Sequence, residues 1–307
     1  MIHDISFTLS DDDLARGRLD KIILSRFPTS TRSLLNIAFT QNGVFADGTP
    51  CHKAFTPPRG CVITLPQLLE ASDRDAVPQD GDLKLIWIDE SLIAIDKPAG
   101  QPCHPVEPGE TGTVSNIVAA RFPEMIGIGG DPLMPGLLHR IDSGTSGLVL
   151  GARTQDSFDF IRSQFTNRSV KKIYTAEVHG RIEVAGGISG HLAHNSSFRG
   201  RMRCVSGAAL PKGERSMFAE TFYRPIAVHN GNTVLEVTIY TGVTHQIRCQ
   251  LASIGHPIIG DATYGSDIAL TGSYGPHHRL HATSIEFVHP TTRQTILIQS
   301  KPPFPID

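Results

Sequence analysis

Apolar positions along this chain fall into short runs whose spacing changes between the three-to-four-residue period of helices and the two-residue period of strands. Leu14, Leu19, Ile22, Ile23 and Phe27 recur at near-helical spacing, which predicts an amphipathic helix ended by Pro28. Thr29, Ser30 and Thr31 offer caps for a second helix carrying Leu34, Leu35, Ala38 and Phe39, closed by Asn42-Gly43. Val44 to Ala46 then opens a strand, Asp47-Gly48 signals a hairpin, and Gly60 to Leu65 reads as a closing strand. Residues 14–65 therefore read as a small α/β domain. The polar stretch 66–82, punctuated by Pro66, Pro78 and Gly81, reads as a linker, and 83–307 as a second domain.

In that second domain, Leu83 to Ile88 and Leu92 to Ile95 predict a hairpin that delivers Asp96-Lys97-Pro98-Ala99-Gly100 to a turn. Thr113 caps a helix bearing Val114, Ile117 and Val118, and Thr154 caps another bearing Phe158, Ile161 and Phe165. Val170 to Gly180, Phe218 to Pro225 and Thr233 to Tyr240 read as strands, while the Gly-rich, basic segment 181–214, with Arg199, Arg201 and Arg203, reads as a loop. Thr244 caps a short helix carrying Ile247, Leu251 and Ile254 and ended by Gly255, and Ser284 to Val288 forms a last hairpin with Thr295 to Gln299. Strands in consecutive pairs with helices between them imply an α+β fold: a mixed, mainly antiparallel sheet with flanking helices. One stretch, Leu137 to Arg153, sets His139, Arg140 and Asp142 between apolar segments, with Gly144 and Gly147 supplying a sharp turn. By itself it reads as a solvated hairpin with an incidental carboxylate, and only other parts of the chain reverse that reading.

Composition adds bounds. With 307 residues, 39% of them hydrophobic, the chain can bury one large core and a small one. The near balance of 28 basic and 30 acidic residues argues against a nucleic-acid binder unless positive charge is local. Between Leu14 and Leu65 it is local, with seven Lys/Arg against Asp20 and Asp47. Five cysteines without CxxC spacing read as reduced thiols, and fourteen histidines without HExxH spacing read as surface or hydrogen-bonded groups, so no metal is expected. The N-terminus lacks a signal-peptide pattern and no apolar stretch approaches about 18 residues, which leads us to expect a cytoplasmic protein without a membrane partner; a monomer is expected as well.

Two resemblances change the picture. RLDK at Arg18 to Lys21, TRSLLNIAFTQNGVFADG at Thr31 to Gly48 and RGCVITL at Arg59 to Leu65 resemble the small RNA-binding domain named after ribosomal small-subunit protein four. That resemblance implies that the second helix and its basic flanks face RNA, with Arg32 and Arg18 at the contact. The alternative is a basic helical hairpin that only packs on the main domain.

ESLIAIDKPAGQPCHP, HRIDSGTSGLVLGAR, KKIYTAEVHG and TGVTHQIRCQLASIGHPIIGDATYG, in this order along the chain, resemble the signature segments of the RluA-type family of pseudouridine synthases. The resemblance implies an isomerase that breaks the N1 to C1′ bond of a uridine in ribosomal or transfer RNA, turns the uracil and joins C5 to C1′, with no cofactor. It carries Asp142 over as the nucleophile, Arg248 as the guanidinium that keeps Asp142 ionised, and Tyr174 as the ring against the uracil. Arg140 is then the side chain that fills the gap left by the flipped nucleotide, with His139, Thr244 and Gln246 as further RNA contacts. Val243 stands where the family commonly has arginine, and Cys249-Gln250 replaces a usual apolar-histidine pair. A catalytically silent RNA-binding module and a glycoside-type hydrolase are the competing classes, and the hydrolase needs a second, protonated carboxylate that no motif supplies.

Overall fold

The computed structural model describes residues 4–28, 30, 35–36, 38–66, 75–195, 198, 200–205, 215–265 and 277–306. The chain divides into two units, Met1–Asp75 and Ala76–Asp307.

In the smaller unit the expected helix at 14–27 is broken at Gly17, whose φ is +77°, into α1 (Asp11–Leu14) and α2 (Leu19–Arg26). Ser10 and Asp13 cap α1 reciprocally, and Leu19, Ile22 and Ile23 bury the inner face of α2. A short π-helical turn, Ala38–Asn42, precedes Gly43. The sheet contains β1 (Asp4–Thr8), β2 (Phe45–Ala46), β3 (Thr49–Pro50) and β4 (Val62–Pro66), in the order β1-β4-β2-β3. Asp47 and Gly48, at φ +49° and +78°, make the expected hairpin turn between β2 and β3. The strand β1 lies upstream of the expected start at residue 14. Its alternation of Ile5 and Phe7 with polar residues is too short to signal a strand without its partner β4.

That earlier start alters the charge argument. Asp11 to Asp13 belong to this unit, so seven basic side chains face five acidic ones between 11 and 65. Arg26 pairs with Asp13, Arg59 with Asp11, and Arg18 makes a two-bond contact with Asp20 at 3.1 and 2.9 Å. Arg32 lies outside the described residues.

The larger unit is built on one twisted sheet. Its strands are β5 (Leu85–Ile88), β6 (Leu92–Lys97), β7 (Ser146–Ala152), β8 (Lys171–Val178), β9 (Gly186–His194), β10 (Met202–Val205), β11 (Ser216–His229), β12 (Asn232–Ile239), β13 (Leu280–Val288) and β14 (Thr295–Gln299). They run in the order β10-β9-β11-β12-β8-β13-β7-β6-β5, with β14 on the second half of β13. All pairings are antiparallel except β13 with β7. Helices α3 (Val114–Arg121), α4 (Gln155–Thr166) and α5 (Gln246–Ser253) flank the sheet, the first two capped by Thr113 and Thr154 as expected. The α+β expectation therefore holds.

Three local expectations do not. Residues 76–82 belong to the larger unit rather than to a linker: the Ala76 amide donates to Pro132 O and the Asn116 side chain to Val77 O. Within 181–214, β9 and β10 replace the expected loop. Gly186 and Gly187 lie beneath Tyr223 and Phe222 of β11, whose rings occupy the space where their side chains would be. Gly147 is not in a turn but inside β7 at φ +107°, where a Cβ would fall 2.4 Å from Ala282 O. Only glycine permits this parallel contact of β7 with β13, which brings Thr145 and Ser146 against His278 and His281.

Candidate active site

Asp142 sits in the turn that feeds β7. The preceding segment runs back along that strand, with the Leu138 amide donating to Leu150 O and the Ala152 amide to Gly136 O. Strand β7 is buried at every position, so the turn rests on a fixed base. Around it, the Thr145 amide donates to Asp142 O at 3.0 Å, and the Cys103 thiol donates to Ile141 O at 3.3 Å. Lys97 is fully buried, and its ammonium donates to Pro98 O, Gln101 O and Ser143 O at 2.8, 2.8 and 3.0 Å. Burial pushes its pKa down to about 8.

Arg248 comes from α5, most of whose residues are buried. Its Nη1 donates to Asp142 Oδ2 at 2.8 Å, while Nε and Nη2 grip both oxygens of Asp261 at 2.7 and 2.9 Å. The guanidinium thus spans two carboxylates, and its bidentate edge belongs to Asp261, not Asp142. Burial opposes the Arg248 charge, but the bonds and charges of Asp261, joined by Asp142, outweigh it and raise its pKa. Burial alone would raise Asp261; Arg248 and the amides of Thr263 and Tyr264 hold it below the usual carboxylate range. Asp261 is the main partner of Arg248, and the sequence did not single it out. Its only signal was an aspartate directly after Ile258-Ile259-Gly260, within a segment already marked by resemblance.

A cleft of about 1330 Å³ contains Asp142, Tyr174, Arg248, His139, Arg140, Thr244 and Gln246 in its lining. It therefore brings together every expected site residue of the larger unit. Tyr174, on β8, is buried; desolvation, then the charge of Asp142, raises its pKa, and no protein group among the described residues accepts its proton. Arg140 is exposed and donates to His104 Nε2 at 2.8 Å.

Other expected RNA contacts have structural tasks. His139 Nε2 accepts the Leu150 amide at 3.1 Å beneath Phe165, and burial with the charges of Lys172 and Arg162 pushes its pKa down to about 3. Gln246 is buried: its oxygen accepts from Thr241 Oγ1 and the Val243 amide, and its nitrogen donates to Glu220 O. Thr244 does not cap α5. His245 is the capping residue, at φ +55°, and makes no side-chain capping bond. Val243 packs against an apolar cluster of Leu192, Met202, Ala219 and Cys249, and Gln250 bonds Thr221 Oγ1 and Ala219 O. These two departures from the resembled pattern thus share one packed junction between α5 and strands β9 to β11, whereas Arg153, in place of a common lysine, pairs with Glu124 and donates to Asp89 O.

All five cysteines are thiols. Among the described residues no helix is long and apolar enough to cross a membrane, and no group of three or more His, Cys, Asp or Glu is placed to hold a metal.

Comparison with known proteins places the chain in a family. The family described as RNA pseudouridylate synthase matches residues 91–253. A Pseudomonas aeruginosa protein named ribosomal large subunit pseudouridine synthase D is 30% identical over 91% of this chain and 87% of its own length. A Nitrosomonas europaea protein of the same name is 31% identical over 96% of this chain and 83% of its own. The solved structure of human RNA pseudouridylate synthase domain containing 1 shares the fold, with a TM-score of 0.56 at 22% identity over 74% of this chain and 87% of that one. The chain accordingly belongs to the RNA pseudouridylate synthase family and is an isomerase.

Proposed function

We propose that this enzyme converts uridine to pseudouridine in large-subunit ribosomal RNA, with Asp142 as nucleophile, Arg248 as its partner and Tyr174 against the uracil. The observation that carries this reading is Arg248 Nη1 on Asp142 Oδ2 at 2.8 Å, in a cleft that Tyr174 also lines. One carboxylate oxygen is thereby occupied, and Oδ1 is left for attack on the sugar or the uracil. The target base must leave its stack to reach Asp142, which costs a few kcal/mol, and Arg140 at the rim takes the vacated place. The ribosomal target follows the printed names of the relatives, ahead of transfer RNA.

The small unit serves as an RNA-binding domain in this reading, supported by its motif resemblance. Its pairing of Arg18, Arg26 and Arg59 with aspartates makes that support weaker than the sequence charge count implied. Pseudouridine mapping of large-subunit ribosomal RNA from cells lacking the protein tests the target. A site lost in those cells is expected to return with the wild-type chain and not with Asp142→Asn. An unchanged ribosomal map alongside a lost transfer-RNA site would move the substrate to transfer RNA.

A further inference from the structure

His245 lines the cleft and is the end of a hydrogen-bonded chain that plays no part in the chemistry proposed so far. The Met202 amide of β10 donates to Tyr264 Oη at 2.8 Å, and the same hydroxyl lies 3.0 Å from His245 Nδ1. A phenol oxygen that already accepts an amide proton still has its own proton to donate, and Nδ1 is the acceptor within reach. The neutral imidazole must then hold its proton on Nε2. That nitrogen is 3.9 Å from Asp142 Oδ2, the oxygen bound by Arg248.

The setting favours this state. The His245 ring stands edge-on to Tyr264 with centroids 5.7 Å apart. Burial, Arg248 of α5 and His194 of β9 disfavour a charged ring, against the opposing pull of Asp142 and Asp261; His278, on the segment before β13, is held neutral by its own burial. The net effect lowers the His245 pKa. Val243, two residues before His245, shares an apolar cluster with Met202, so the strand that supplies the amide is anchored to the turn that carries the ring.

We propose that His245 is a positioning residue: a neutral Nε2–H donor, its tautomer set by Tyr264, that closes on Asp142 Oδ2 when the nucleotide binds. With Arg248 and His245 both on Oδ2, the carboxylate cannot rotate and Oδ1 faces the reacting ring. A neutral donor does this without adding a second cation to the site. The inference rests on Asp142 being the nucleophile.

Long-range 1H–15N spectra of the 15N-histidine-labelled full-length protein read the tautomer directly. The resonance lost in His245→Gln is expected to show a protonated Nε2 and a bare Nδ1 at neutral pH, and Tyr264→Phe to shift it toward the other tautomer or the cation. A wild-type Nδ1–H form or imidazolium would overturn the proposal. Activity separates the donor from a merely conformational role. Asn tolerates a left-handed backbone better than Gln, so a conformational role places His245→Asn above His245→Gln. The proposed donor places Gln above Asn, because only the Gln amide reaches the Nε2 position. The expected losses in kcat are about tenfold for Gln and roughly a hundredfold for Asn, with KM for RNA unchanged. Equal losses, or the reverse order, overturn it. Full activity in Asp142→Asn would instead remove the nucleophile assignment and leave the tautomer result standing.

Discussion

Arg248 presents its two-bond edge to Asp261 and a single N–H to Asp142. The Asp261 side chain is fully buried, so it is the fixed end of the pair, and Asp142, a quarter exposed, is the end that can react. Removing the Asp261 charge leaves a buried guanidinium without its main partner. Asp261→Asn is therefore expected to destabilise the fold by about 3–5 kcal/mol, whereas Asp142→Asn, which keeps the Arg248–Asp261 contact, loses activity with little change in stability. Denaturant unfolding of both variants checks this. Equal stability of Asp261→Asn and the wild type would contradict it.

Three N–H groups of Arg248 serve two carboxylates in one plane, a geometry that an ammonium cannot copy. Arg248→Lys should retain the charge near Asp261 but lose the bond to Asp142. Arg248→Ala should leave Asp261 buried and unpaired. Single-turnover rates are expected to fall by roughly 10²-fold for Lys and further for Ala, with Ala also lowering stability. A Lys variant as active as wild type would show that charge alone suffices.

Much of this site was legible in the sequence, and the part that was not has physical causes. The buried run Leu148 to Leu150 marked β7, and resemblance paired Asp142 with Arg248 across the chain. The partner Asp261 left no signal beyond its place after Ile258-Ile259-Gly260, because its contact with Arg248 joins a helix to the turn thirteen residues beyond it. Glycines misled twice in the larger unit. Gly147 read as part of a turn and the Gly-rich 181–214 as a loop, yet Gly147 and Gly186 each lie in a strand where a neighbouring backbone or ring takes the side-chain space. His139 and Gln246 looked like substrate groups because they stand beside Asp142 and Arg248 in the resembled motifs, but their hydrogen bonds go to backbone and threonine groups that shape the turns.

His278 makes stability depend on pH. Its Nε2 is 2.7 Å from Thr145 Oγ1, and burial, reinforced by the Arg248 charge, pushes its pKa down to about 4. Above the ordinary histidine pKa both folded and unfolded chains hold it neutral, so it has no effect. As pH falls from about 6.5 toward 4 the unfolded chain takes up the proton first, and the fold loses stability. The difference between wild type and His278→Gln in denaturant unfolding should therefore change by on the order of 2 kcal/mol between neutral pH and about pH 4.5, in favour of the variant at acid pH. A difference that is flat across this window would place His278 in a more exposed setting.

Arg140 should matter only when a base has to be drawn out of a helix. Arg140→Ala is expected to slow reaction on a structured RNA by roughly tenfold or more, and to leave a short unpaired strand with the same target nearly unaffected. Equal effects on both substrates would assign Arg140 to general phosphate contact, which a shallower salt dependence would then confirm.

Asp142 is the group proposed to perform the chemistry. Tritium release from large-subunit ribosomal RNA labelled at uracil C5, under single-turnover conditions with purified wild type and Asp142→Asn, tests it most directly. Full release by the wild type and none above background by the folded variant is the expected result. Release at the same rate by both proteins would remove Asp142 from the reaction and contradict the mechanism.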